Sequence, residues 1–228
     1  MKATLHSLVF FLFFLCKLSD LQAQVLVHEE ARHHPVFQND EIRMLNVLLP
    51  PGDTTQYHIH HTPSAFILFT STITGSQLKG AAPSDGKSTA GSMYFENLSA
   101  PHLRVHRVWN MDKDTFHVMD IELLSNDTGF VRMPLVMTNL ALEIDTPWVR
   151  AYRLSLSKEK DFNLHDNKRS LMLIALNSAP VQTKQNGKTQ QQTLQPGSFF
   201  EIKRGQSFFL ENNGSLALQF ALLEMPKE

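Results

Sequence analysis

Cysteine is nearly missing: the chain of 228 residues has one, Cys16. It follows the apolar run "LVFFLFFL" (Leu8 to Leu15) near the start of the chain. If that segment is removed, no thiol remains, which excludes disulfides, thiolate metal sites and a cysteine nucleophile. Charge of one sign is missing too. Lys and Arg total 21 against 22 Asp and Glu, a net charge of −1. This gives no electrostatic case for nucleic acid or for an anionic membrane surface as partner. No apolar run is long enough to span a bilayer comfortably. Downstream of the leader there is no long amphipathic helical pattern, and there is no P-loop, G-x-S-x-G, H-E-x-x-H or dinucleotide fingerprint.

What is present begins with the leader. Lys2 precedes the apolar core, polar "KLSD" (Lys17 to Asp20) follows it, and Ala23 is a small residue at its end. This is the pattern of a secretory signal peptide, residues 1–23, cleaved after Ala23. The expected location is periplasmic or secreted, with no stable membrane insertion after cleavage. The remaining chain is long enough to rely on its core rather than on disulfides.

Short alternating stretches dominate that remainder. "IRMLNVLL" (Ile42 to Leu49), "AFILFT" (Ala65 to Thr70), "LRVHRV" (Leu103 to Val108) and "TFHVMDIEL" (Thr115 to Leu123) read as strands. After "SNDTG" (Ser125 to Gly129) the pattern weakens until "WVRAYRLSL" (Trp148 to Leu156). "SLMLIAL" (Ser170 to Leu176), "GSFFEI" (Gly197 to Ile202) and "LALQFALL" (Leu216 to Leu223) follow. Gly, Pro, Asn and Asp punctuate these strands at intervals that point to an all-β sandwich or barrel. "KGAAPSDGKSTAG" (Lys79 to Gly91) reads as a polar, mobile loop.

The chemistry concentrates in "YHIHH" (Tyr57 to His61), behind "PPGD" (Pro50 to Asp53). In a strand, residues two apart face the same side, so His58 and His60 can converge on one ion while His61 faces away. A third ligand has to come from another strand, and "PHLRVHRVWN" (Pro101 to Asn110) offers His106. The alternative is three solvated strand histidines.

These residues resemble the two motifs of the cupin superfamily, G-x5-H-x-H-x3-4-E-x6-G and G-x5-P-x-G-x2-H-x3-N. The first is matched at Gly52, His58 and His60 and roughly at Gly75. The second is matched at Pro101, His106 and Asn110. The resemblance implies a double-stranded β-helix (a cupin jelly-roll) with His58, His60 and His106 as ligands of one divalent transition metal: Fe, Mn, Ni, Cu, Zn or Co. It departs from the pattern where the glutamate should stand, at Ser64 or Ala65, and at Leu103, which replaces a glycine. Three neutral imidazoles leave a dication uncompensated, which favours an anionic group in the open position.

The second half fits the same template by spacing. In "GSFFEIKRGQSFFLEN" (Gly197 to Asn212), Lys203 falls at the proline and Phe208 at the histidine. Asn163 and His165 fall where His58 and His60 stand. This describes two tandem barrels: a metal-binding cupin over 24–128 and a degenerate, metal-free cupin-like β-domain over 129–228. An unrelated β-extension is the alternative.

Among the other histidines, His117 reads as a satisfied structural residue and His102 as a general-base candidate near His106. "HEEARHH" (His28 to His34) reads as a solvated lead-in from which His33 and His34 can reach the barrel mouth. The overall expectation is an exported bicupin of bacterial type, and a metal-dependent enzyme resembling cupin dioxygenases, acting on a small oxygenated or anionic molecule. A cupin isomerase or lyase, or a non-catalytic module binding a metabolite or sugar, are the alternatives. Partners are a small-molecule ligand and, since cupins commonly dimerise through edge strands, a second copy of the chain.

Overall fold

The computed structural model describes residues 24–226. The expected signal peptide, residues 1–23, lies outside them. The described chain is built of strands apart from one short 3-10 turn, Val27–Glu29. No helix among the described residues is long and apolar enough to cross a membrane.

The first half holds β1 (Val25–Leu26), β2 (His33–Gln38), β3 (Ile42–Leu49), β4 (His58–His60), β5 (Ser64–Leu68), β6 (Ile73–Leu78), β7 (Ser84–Lys87), β8 (Met93–Glu96), β9 (Arg104–Asn110) and β10 (Phe116–Leu123). They form two sheets, ordered β2-β3-β10-β5-β8 and β1-β4-β9-β6-β7. The second half holds β11 (Leu140–Asp145), β12 (Arg150–Leu156), β13 (Asp161–Leu164), β14 (Ser170–Ala175), β15 (Ala179–Gln185), β16 (Lys188–Leu194), β17 (Phe199–Ile202), β18 (Phe208–Asn212) and β19 (Leu218–Met225). Its sheets are ordered β11-β12-β19-β14-β17 and β13-β18-β15-β16. Strand for strand the second order repeats the first, lacking only a counterpart of β1. Each half is a jelly-roll of two facing sheets.

Parity explains how the halves join. On β5, Ser64, Phe66 and Leu68 face into the first barrel, while Ala65 and Ile67 face the second half. All five are buried. On β10, Val118, Asp120 and Glu122 face in, while Met119, Ile121 and Leu123 face out. The outward set packs against Ala151, Met172, Ile174, Ala221 and Leu223 of β12, β14 and β19. These central strands therefore read as continuous apolar runs, because both of their faces are covered.

Three expectations change at the margins. The polar stretch 79–91 contains strand β7, paired antiparallel with β6. It was invisible because all four of its residues are exposed. The weak region after residue 125 contains β11, which pairs with β12 across a register shift. The segment before it bonds to the second half: Arg150 donates to the Arg132 carbonyl and Leu135 N–H donates to the Tyr152 hydroxyl. The lead-in 28–34 is only partly solvated, since Glu30 and His33 are buried.

Candidate metal centre

The site forms where β4 meets β9. Their antiparallel register sets His58 opposite His106 and His60 opposite Arg104. His58 and His60, two apart on one strand, point into the barrel and are 1% and 3% exposed. His61 points out and is exposed. The Nε2 atoms of His58 and His60 lie 3.1 Å apart, as do those of His60 and His106. The ligand atoms of all three rings lie within 4.8 Å of one another.

The protonation pattern follows from the partners. His58 Nδ1 lies 2.9 Å from the Gln56 carbonyl, which can only accept. Nδ1 therefore carries the proton and Nε2 presents its lone pair. Burial, with His33 nearby, lowers the His58 pKa to about 4. Burial, then His58 and Arg104, lowers His106 to about 2. Burial and the neighbouring rings take His60 well below the usual range. Three neutral imidazoles thus turn their nitrogens toward one another. Two nitrogens each about 2.1 Å from one ion, at angles of about 90 to 110°, lie about 3.0 to 3.4 Å apart. The observed 3.1 Å separations fit that requirement.

The expected glutamate position holds Ser64, fully buried on β5 with its hydroxyl donating to the Thr62 carbonyl. A carboxylate is nevertheless present. Asp120, on β10, is 1% exposed, and its Oδ2 lies 3.5 Å from His60 Nδ1. That nitrogen and both Asp120 oxygens have no hydrogen-bond partner. Burial raises the Asp120 pKa well above the carboxylate range, and Glu122 and Glu96 push the same way; the nearby Ser64 hydroxyl opposes them only weakly, because it donates to the Thr62 carbonyl and not to Asp120. Nothing in the motif points to Asp120. The available signal was an acid at inward parity in the apolar strand "FHVMDIEL".

His33 is the second residue the motif missed. Its Nδ1 lies 2.8 Å from Glu30 Oε2, and its ring centroid lies 4.6 Å from that of His58. Glu30 also accepts from the backbone N–H groups of Arg32 and Gln56. These contacts hold its pKa low despite burial. His102 stays outside: it sits in an exposed turn and does not line the site, so it is no base for His106. His117 is a structural residue, bonded through Nε2 to Asn46 Oδ1 at 2.7 Å.

Beside the histidines lies a cavity of about 80 Å³. Val47, Leu49, Phe66, Val108, Phe116 and Val118 give it an apolar wall. Phe66 stacks on Tyr94 at 4.8 Å. Arg104, the one lysine or arginine in the lining, is ion-paired with Glu96.

Asn110 closes the motif by holding the strand ends. Its Nδ2 donates to the carbonyls of Leu49 and Asp114 at 2.9 and 2.7 Å, and its Oδ1 accepts from Asp112 N–H. Asn212 repeats this in the second half, donating to Leu156 and Leu216 and accepting from Gly214. Phe208 accordingly stands at the place of His106. Its register partner is Leu164, as His58 is the partner of His106. The inward pair of β13 is therefore Phe162 and Leu164, and the expected alignment of Asn163 and His165 with His58 and His60 is one residue out. His165 is exposed. The second barrel is filled by apolar side chains, Tyr152, Phe162, Phe208 and Phe220 among them. Among the described residues, His58, His60 and His106 are the one metal-type cluster.

No family model and no curated protein sequence matches the chain. Its fold, by contrast, matches many solved structures. Salicylate 1,2-dioxygenase from Pseudoaminobacter salicylatoxidans, in adducts with gentisate, superposes with TM-score 0.60 at 11% identity, over 94% of this chain and 79% of that one. AerE from Microcystis aeruginosa gives 0.60 at 8% identity, over 84% and 90%. YhaK from Escherichia coli gives 0.53 at 13%, over 87% and 93%. Repeated jelly-roll sheets, a three-histidine cluster inside one barrel and these neighbours make the chain a protein of cupin fold with the donor set of a metal-binding cupin.

Proposed function

We propose that the protein is an exported, metal-dependent enzyme of dioxygenase type that acts on a small anionic, oxygen-bearing molecule. His58, His60 and His106 would hold the ion. One observation carries the reading: three mutually facing imidazole nitrogens, on two buried rings and one half-buried ring, that border a cavity rather than filling it. A bound divalent transition metal supplies Lewis acidity there and, where redox-active, a means of activating dioxygen. Salicylate dioxygenase as a structural neighbour supports this class of chemistry.

The chain's own residues supply the rest. The apolar wall excludes bulk water and strengthens every charge interaction inside the barrel. Arg104 is the cation available to an anionic substrate and would exchange Glu96 for it. His33, held at Nδ1 by Glu30, offers its other nitrogen as a hydrogen-bonding position. The small cavity limits the substrate to a compact molecule. In this reading the second barrel, 129–228, is a bicupin partner without a metal, and the core it shares with 24–128 supports the site from behind.

The test is reconstitution of the metal-free protein with Fe(II), Mn, Ni, Cu, Zn or Co, one at a time. Oxygen uptake and substrate loss are then measured on a panel of small hydroxy- and keto-carboxylates. Turnover with one metal and one substrate class is the expected result. A loaded protein that consumes nothing, yet gains melting temperature from one of these compounds, is a binding module and ends the enzyme reading.

A further inference from the structure

We propose that Asp120 is the carboxylate of the metal centre, acting through His60 rather than as a ligand. This rests on the metal reading above. It answers what replaces the missing motif glutamate, whose place is taken by Ser64.

The argument starts from unmet hydrogen-bonding capacity. A buried polar atom without a partner costs free energy, and native structures keep few of them. Here two such groups face each other across β4 and β10: His60 Nδ1 and the Asp120 carboxyl, 3.5 Å apart. That separation is too long for a hydrogen bond, but closing it takes a shift of only a few tenths of an ångström. Both atoms would be satisfied at once if Nδ1 carried the proton and donated it to Asp120 Oδ2.

That arrangement leaves Nε2 of His60 as a lone pair, matching the state that the Gln56 carbonyl imposes on His58. It also determines charge. An ion held by three neutral rings has no negative partner among its ligands. A carboxylate that accepts from the far nitrogen of a ligating histidine orients the ring and raises its basicity. Asp120 is placed to do both. Glu122, two residues on and equally buried, cannot take this role. It is held by Arg43 at 2.8 Å and by the Thr62 hydroxyl. Asp120 is thus a positioning residue, with its atoms near His60 and not on the ion.

The experiment compares wild type with Asp120→Asn, which keeps the shape and removes the charge. Zinc is the probe. One zinc per chain in wild type is the first result required. Its absence overturns the metal reading, and this proposal with it. Given that, the variant is expected to bind zinc about 10- to 100-fold more weakly, as losses of carboxylates behind metal-bound histidines generally do. Its metal-free melting temperature should be no lower than that of wild type. Equal zinc affinity in the two proteins overturns the proposal and leaves the metal reading standing. A weaker affinity matched by a fall in metal-free melting temperature also overturns it, because Asp120 is then structural. A second measurement uses wild type alone: NMR of nitrogen-15-labelled, zinc-loaded protein should show an exchange-protected proton on His60 Nδ1. If the metal instead occupies Nδ1, the assignment is wrong.

Discussion

Acidifying the metal-free protein from pH 7 to pH 5 should cost it folding stability by linkage, with His58 and His106 contributing about 4 kcal/mol of the loss. The source is the histidine cluster. An unfolded histidine titrates near 6.5, whereas in the fold His58 sits at about 4, His106 at about 2 and His60 well below its usual value. Above the unfolded pKa these groups are neutral in both states and contribute nothing. Below it the unfolded chain takes up protons that the fold refuses, so the unfolded state gains. At pH 5 the gain is about 2 kcal/mol each for His58 and His106, or about 4 together, and His60 adds in the same sense. Asp120 works the other way. Its pKa is raised in the fold, so it opposes folding at neutral pH, and that cost shrinks as pH falls through its folded pKa. Over the same interval it returns part of the loss. The His58 and His106 contribution alone is a large share of the roughly 5 to 15 kcal/mol typical of a folded domain. His117, also lowered by burial, adds in the destabilising sense. Urea unfolding of chelator-treated protein at the two pH values measures the difference. In a His58→Gln/His106→Gln double variant the acid sensitivity should fall sharply. A wild type equally stable or more stable at pH 5 would refute the reasoning.

Three more outcomes are expected. His106→Ala should abolish stoichiometric metal binding while His61→Ala, on the outer face, leaves it intact; elemental analysis of both proteins decides, and equal loss in both contradicts the strand parity. Asn110→Ala and Asn212→Ala should each cost about 2 to 4 kcal/mol, since each strands two carbonyls and a backbone N–H that the amide now satisfies; denaturant midpoints check this, and a large effect in one half alone would deny that the two networks are equivalent. Gly75→Ala should displace Trp109, because an added Cβ would sit inside its indole, costing about 1 to 3 kcal/mol; Trp109 fluorescence and melting temperature report it.

The sequence by itself determined the elements that bury apolar side chains at fixed period. Ile42–Leu49 is β3 residue for residue as expected, and Ser170–Ala175 and Phe116–Leu123 differ from expectation only at one end. It also determined the pairing of His58 with His60, because two-residue parity is a local property of a strand. His106 was legible through its spacing from Pro101 and Asn110. Polar strands were not legible: β7 and β16 are almost wholly exposed and carry no burial pattern. Tertiary structure alone decided the rest. The one-residue offset of His165 follows from a register that only β18 imposes on β13. The burial of Glu30 and His33 depends on Gln56 and His58, which are more than twenty residues away. The role of Asp120 depends on β10 crossing behind β4, a contact between strands that are never neighbours in a sheet. Local pattern tells which face a side chain takes. What stands across the barrel from it is a long-range fact, and that is where the carboxylate of this site comes from.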